Sequence, residues 1–266
     1  MKKYLTIFGL SFQNEFTYRL NFILWRFRNV LRILMTYFLW NMVYTQNNMV
    51  FGFSKEQMMT YVFMVLVFMS FVVAAPSIEN IGSEISNGDL SNFLVKPINY
   101  LYYWLVRDWA SKLLNTLFVV LEIGLLWLVF KPQFVLPPNL LIGVISILVL
   151  ILAALLYYLF TKLAVFTAFW APENTWGMMF LILVMLEVLS GATFPLDVLP
   201  SNLFNFLQFT PFPYLVYFPV AIWIGKFDLV FALRILVQSL IWVGILYVLV
   251  IKLWHKGLKE YSAVGK

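Results

Sequence analysis

Between Lys131 and Lys162 the chain runs for 30 residues without one charged side chain. A helix of that length spans about 45 Å at 1.5 Å per residue, more than the roughly 30 Å hydrocarbon core of a bilayer. Prolines at 132, 137 and 138 keep the start of the run out of a helix, so a helix is predicted from about Asn139. Five further apolar runs recur along the chain, at residues 33–54, 58–75, 113–130, 176–193 and 235–251. Glu122 and Glu187 are their only charges. Transmembrane barrel strands alternate polar and apolar side chains over about ten positions, and these runs do not alternate. Only 11% of the residues are charged and 63% are hydrophobic, whereas soluble domains carry about 25% charged residues. The chain is therefore expected to be an all-α polytopic membrane protein with six transmembrane helices, in one domain covering residues 1–266.

The distribution of basic residues sets the expected orientation. With the N-terminus inside, fourteen lysines and arginines lie on the inner side, among them Arg19, Arg26, Arg28, Arg32, Lys96, Lys112, Lys162 and Lys266. Four remain outside, namely Lys55, Lys131, Lys226 and Arg234. Both termini are then cytoplasmic and the chain sits in the inner (plasma) membrane. Residues 2–20 place Leu5, Phe8, Phe12 and Phe16 on one helical face, the pattern of an interfacial helix. Glu15 and four arginines interrupt the first apolar segment, which argues against a cleavable signal peptide.

Several kinds of chemistry are excluded. The chain has no cysteine and one histidine, His255, which lies in a basic tail beside Lys252 and Lys256. Thiol nucleophiles, thiolate metal sites and a His-ligated zinc are thereby removed, and no metal site is expected. No G-x-x-x-x-G-K-[ST] loop, G-x-S-x-G elbow or H-E-x-x-H helix occurs. No catalytic site and no cofactor are expected in this chain, so any work must draw on a partner or an ion gradient. The net charge of +6 is spent on topology, and no nucleic acid is expected as a partner.

Two segments are more than connections. In the loop that starts at Ser77 and contains the element 79–97, Ile78, Ile81 and Ile85 form a short apolar stripe, with Glu79, Glu84 and Asp89 away from it. Gly88 supplies a helix stop and Pro97 forces Lys96 out of helical geometry, so two short cytoplasmic helices with a break are predicted. Residues 194–226 hold Pro195, Pro200, Pro211, Pro213 and Pro219 among aromatic side chains, with Asp197 the one charge before Lys226. That is too apolar for a free loop and too broken for one helix, so an outer-leaflet re-entrant hairpin between spans five and six is predicted. Glu122 and Glu187 are the ionisable groups deepest in the spans. Glu187 lies near Ser190 and Gly191, a polar small-residue face that could line a pathway or a close helix contact.

Four segments together carry a resemblance to a known family. They are ISNGDLSNFLVKPINYLYY (residues 85–103), LSGATFPLDVLP (189–200), PFPYLVYFPVAIWIGK (211–226) and WHKGLKEYSAVGK (254–266). In this order the chain resembles the permease subunits of ABC-type exporters, in the six-helix type-2 class. Lys96 stands where that family commonly has arginine, which keeps the charge and loses bidentate geometry. The resemblance implies a second permease, the same or paralogous, and a separate cytoplasmic ATPase dimer that binds ATP and Mg. It implies that residues 79–97 are the coupling element, with Ile81 and Ile85 supplying apolar contact to the ATPase and Glu84, Asp89 and Lys96 polar contact. Gly88 and Pro97 would shape that element. Glu187, Ser190 and Gly191 would be candidates for the translocation pathway, lined by the second and fifth spans. Substrates of such exporters include drugs, peptides, lipids and glycans. A proton- or sodium-coupled secondary transporter using Glu122 and Glu187 is the alternative, and a non-transporting membrane scaffold a third reading.

Overall fold

The computed structural model describes residues 2–15 and 19–261. Phe16, Thr17 and the last five residues, Lys266 included, lie outside the described residues, as do the side chains of Arg19 and Glu79. The fold is all-α apart from a two-stranded hairpin. In order, the elements are α1 (Lys2–Glu15), α2 (Arg19–Val43), β1 (Met49–Val50), β2 (Phe53–Ser54), α3 (Lys55–Val72), α4 (Ser77–Ser86), α5 (Ser91–Leu94), α6 (Tyr100–Phe130), α7 (Leu140–Val165), α8 (Thr175–Leu189), α9 (Ser201–Leu207), α10 (Tyr217–Trp223) and α11 (Leu229–Glu260).

Five stretches are long and apolar enough to cross a membrane: α3, α6, α7 with its 3-10 continuation to Phe169, residues 172–189 around α8, and α11. Their starts are written locally. Ser54 and Gln57 form a reciprocal capping box at α3. Asn99, Asn139 and Asp228 cap α6, α7 and α11, each side chain accepting a backbone N–H three residues on. The predicted start near Asn139 is the observed one.

The first apolar run is not folded as its lack of charge suggested. Residues 33–54 do not make one helix: α2 ends at Val43, and a turn and the β1–β2 hairpin take up the remainder. The helix instead extends back through Arg26, Arg28 and Arg32. Reading charges as membrane boundaries misses this, because Arg26 and Arg32 are neutralised from other helices. Helix α1 turns inward a face that overlaps the expected one at Phe8 and Phe12. Tyr4, Ile7, Phe8, Ser11 and Phe12 lie towards α6, on which α1 packs, while Leu5 is exposed.

Helix α7 is the hub, packed against α11, α10, α8 and α3. α3 in turn holds α2 and α6. Between α8 and α11 the chain is broken into short pieces. Of these α10 is the most enclosed, with every residue from Tyr217 to Ile222 buried against α7 and α3. By contrast α8 shows most of its apolar surface outward, including Trp176, Phe180, Leu181 and Val184.

Candidate functional site

The polar loop after α3 folds as the two short helices its pattern predicts. Gly88 sits at φ +83° between them, a left-handed conformation that costs an L-residue roughly 1–2 kcal/mol. The apolar stripe faces into the protein: Ile81, Ile85 and Leu90 are buried, with α4 set against α6, α7 and the 3-10 turn at Phe166–Phe169. Each buried isoleucine contributes about 1.5–3 kcal/mol to holding α4 in place. The isoleucines expected to meet a partner are therefore spent inside this chain. What faces outward is Ser83, Asn87, Asp89, Asn92, Leu94, Val95, Lys96 and Pro97, with Val95 85% exposed.

Glu84 also turns inward. Its carboxylate accepts from the Tyr100 hydroxyl and from Trp104 Nε1. Burial raises its pKa above the usual carboxylate value, against the opposing pull of those two hydrogen bonds. The break at Gly88 is gripped from the other end of the sequence. The Tyr261 hydroxyl donates to the Gly88 carbonyl and accepts from the Ser91 N–H. Trp254 of α11 stacks on Tyr100 at 5.2 Å between ring centres. Lys3 of α1 donates to the Pro97 carbonyl at 2.7 Å, and the Asn99 N–H donates to the Tyr4 hydroxyl at 3.3 Å. Lys96 lies over the Phe93 ring at 5.0 Å. One face of residues 77–97 is thus fastened to α1, α6, α7 and α11, and the other is turned outward.

Among the described residues, the junction with α3 holds the most buried charges. Residues 73–76 separate α3 from α4, and Pro76 offers α4 no side-chain cap. Asp108 of α6 supplies it: its carboxylate accepts the Ser77 N–H at 3.0 Å and the Ser77 hydroxyl at 2.5 Å. One turn further along α6, Lys112 donates to the carbonyls of Phe71, Val72 and Ala74 at 3.2, 2.6 and 2.8 Å. These are the last carbonyls of α3 and its continuation. Lys162 of α7 donates to Ser77 Oγ at 2.6 Å and lies 3.8 Å from Asp108. All four side chains are buried. An anion faces a helix N-terminus and a cation a helix C-terminus, the favourable sense for both dipoles.

The two membrane glutamates are held by α2. Arg26 binds Glu122 of α6 with two donors, Nε and Nη2, at 2.5 and 2.6 Å, and also reaches Ser70 and Asn115 at 3.3 and 3.4 Å. Arg32 binds Glu187 of α8 at 2.5 Å in a more open setting. The structure does not bring Glu187, Ser190 and Gly191 onto one open face. Ser190 is buried, and its carbonyl accepts from the Tyr217 N–H. Gly191 sits at φ +86°, where an added Cβ would lie 2.8 Å from both Tyr217 Cβ and Tyr61 Oη. Its carbonyl accepts from Tyr61 at 2.6 Å. Both residues close the top of α8 against α3 and α10. Nearby, Asp197 pairs with Lys226 at 2.6 Å and accepts from Tyr217. Burial holds the Lys226 amine below its usual range, opposed by Asp197.

Counting charges by distance from apolar runs placed Lys112 and Lys162 in cytoplasmic flanks and missed Asp108, Ser77 and the α2 arginines. The signal that could have found them is spacing. Asp108 and Lys112 lie one turn apart, where a helix face carries opposite charges opposite an uncapped Pro-Ser helix start.

No curated protein and no solved structure is significantly similar to this chain. The model of the family described as "ABC-2 family transporter protein" matches residues 30–265. That span includes α3 to α11, the outward rim of residues 83–97 and the buried junction at Ser77. The chain is a member of the ABC-2 transporter family, a membrane-embedded permease component.

Proposed function

We propose that this chain is the permease of an ATP-driven exporter, in which residues 77–97 receive the stroke of a separate ATPase dimer that binds ATP and Mg. The observation that carries this reading is the division of that element into a fastened face and a free rim. Ile81, Glu84, Ile85 and Gly88 are engaged within the chain and the Pro97 carbonyl is held by Lys3, while Asn87, Asp89, Val95 and Lys96 face outward with mixed charge and an apolar tip. A groove on a partner would find polar contacts on both sides of Val95, the anatomy of a compact interface core with a polar rim.

In this reading α2 is the sixth span, made insertable by the Arg26–Glu122 and Arg32–Glu187 pairs, since an unpaired arginine at mid-bilayer costs about 2.5–3.5 kcal/mol on the insertion scale. Both termini are cytoplasmic in the inner (plasma) membrane, and residues 194–226 are a re-entrant outer cap. A second permease, the same or paralogous, completes the pathway beside the apolar face of α8, and Glu187 is the pathway candidate that reaches the surface. Each glutamate of the ion-coupled alternative already serves an arginine, which weakens that reading.

Co-purification in mild detergent tests the proposal. Wild type should retain a P-loop ATPase, and the Asn87→Ala/Asp89→Ala/Lys96→Ala variant should shed it with an unchanged unfolding midpoint. Wild type free of any ATPase would overturn the reading.

A further inference from the structure

The α3–α4 junction is where an isolated coupling element would be expected to bend. Residues 73–76 are a non-helical link ending in proline, and a bend there would let a partner move α4 without moving the spans. We infer that Asp108, Lys112, Lys162 and Ser77 form a lock across this joint, so that α4 and the cytoplasmic ends of α3, α6 and α7 move as one piece. The inference rests on the reading of residues 77–97 as the coupling element.

Both ends of the link are held by one helix face. Asp108 fixes the first residue of α4 through its N–H and its hydroxyl, and Lys112 fixes the last carbonyls of α3. The two lie one turn apart on α6, about 6 Å between Cβ atoms, so the helix ends cannot separate or rotate without breaking both. Lys162 adds α7, bonding Ser77 Oγ and facing Asp108. Its amine also lies 4.1 Å from the Tyr158 ring centre, and Tyr158 donates to the Leu101 carbonyl of α6. Ser77, Asp108 and Lys162 are fully buried, out of reach of bulk solvent. Water therefore cannot replace a broken bond cheaply there. Three spans would then feel any displacement of the rim at residues 87–97. These are positioning residues, acting through the backbone of α4 and touching neither nucleotide nor cargo.

The absence of cysteine makes a two-label experiment direct. Spin labels go on Asn80→Cys on α4, outside the rim proposed to meet the ATPase, and on Leu140→Cys at the far end of α7, both exposed. Labelled chain is diluted with unlabelled chain in the ATPase-bound complex in nanodiscs. The distance is read by pulsed electron resonance without nucleotide and with ATP plus vanadate. A lock predicts one distance that nucleotide leaves unchanged. In Asp108→Asn/Lys162→Met, which removes both charges together and strands neither, the ATPase still binds and hydrolyses ATP, while the distance shifts or broadens with nucleotide. Ser77→Ala deletes only the bridging hydroxyl and gives the same change in weaker form, which serves if the double variant does not fold. A nucleotide-dependent shift already present in wild type overturns the lock, as does an unchanged distance in both variants. Loss of the ATPase from the wild-type complex would instead overturn the coupling reading, and the two failures are told apart by what co-purifies.

Discussion

Replacing Glu122 by glutamine should be among the most damaging single changes in the membrane region. Arg26 is 7% exposed and Glu122 15%, and the pair is bidentate. Glutamine keeps the shape and removes the charge, leaving Arg26 with Ser70 and Asn115 as its longer, neutral partners. Breaking a buried pair by removing one partner costs about 3–5 kcal/mol, because the other charge stays buried and uncompensated. At about 2–4 °C per kcal/mol for a chain of this size, the unfolding midpoint should fall by about 6–20 °C. Tryptophan fluorescence in detergent reads it, since ten tryptophans are present. Arg26→Met/Glu122→Gln strands no charge and should recover most of the loss. If Glu122→Gln costs under about 1 kcal/mol, the value of a solvated pair, or if the double variant is no better than the single, the reasoning is wrong.

Other outcomes follow from the same geometry. Gly191→Ala meets Tyr217 and Tyr61 at a left-handed backbone position, and should lower stability by about 1–3 kcal/mol in the same unfolding assay. Gly88→Ala should cost about 1–2 kcal/mol and raise hydrogen exchange in residues 87–94, where Tyr261 holds the break. Burial raises the Glu84 pKa from 4.5, so the folded state binds the proton more readily than the unfolded one. Stability should then decline as pH rises from the ordinary carboxylate value through the raised one. Midpoints measured at increasing pH from below the ordinary carboxylate value should show the decline in wild type and lose it in Glu84→Gln. Glu187→Gln should lower the midpoint less than Glu122→Gln, because Glu187 is half exposed and its pair with Arg32 is the more open one.

The five long apolar helices were legible because a run without charge has few alternatives in a bilayer. Helix α2 was not, since its arginines reach carboxylates 96 and 155 residues away in sequence, and no local pattern records such a partner. The break at Gly88 and the two helices around it could be read from a glycine and an isoleucine stripe. Which way the stripe points could not: periodicity defines a face, and only packing on α6, α7 and Phe166–Phe169 tells whether that face is covered by the chain itself. Ser190 and Gly191 looked like a polar lining because small residues suit a cavity and a close contact equally well. The positive φ at Gly191 and the approach of Tyr61 decide for contact.

In the proposed complex the outward rim formed by Asn87, Asp89, Val95 and Lys96, and not the fastened face, meets the ATPase. Photo-crosslinkers on Val95→Cys and Asn87→Cys in the purified complex test it directly, with Asn202→Cys on exposed α9 as the distant control. Both rim positions are expected to capture a P-loop ATPase identified by mass spectrometry, and Asn202→Cys none. An ATPase that co-purifies yet is captured from neither rim position would contradict it.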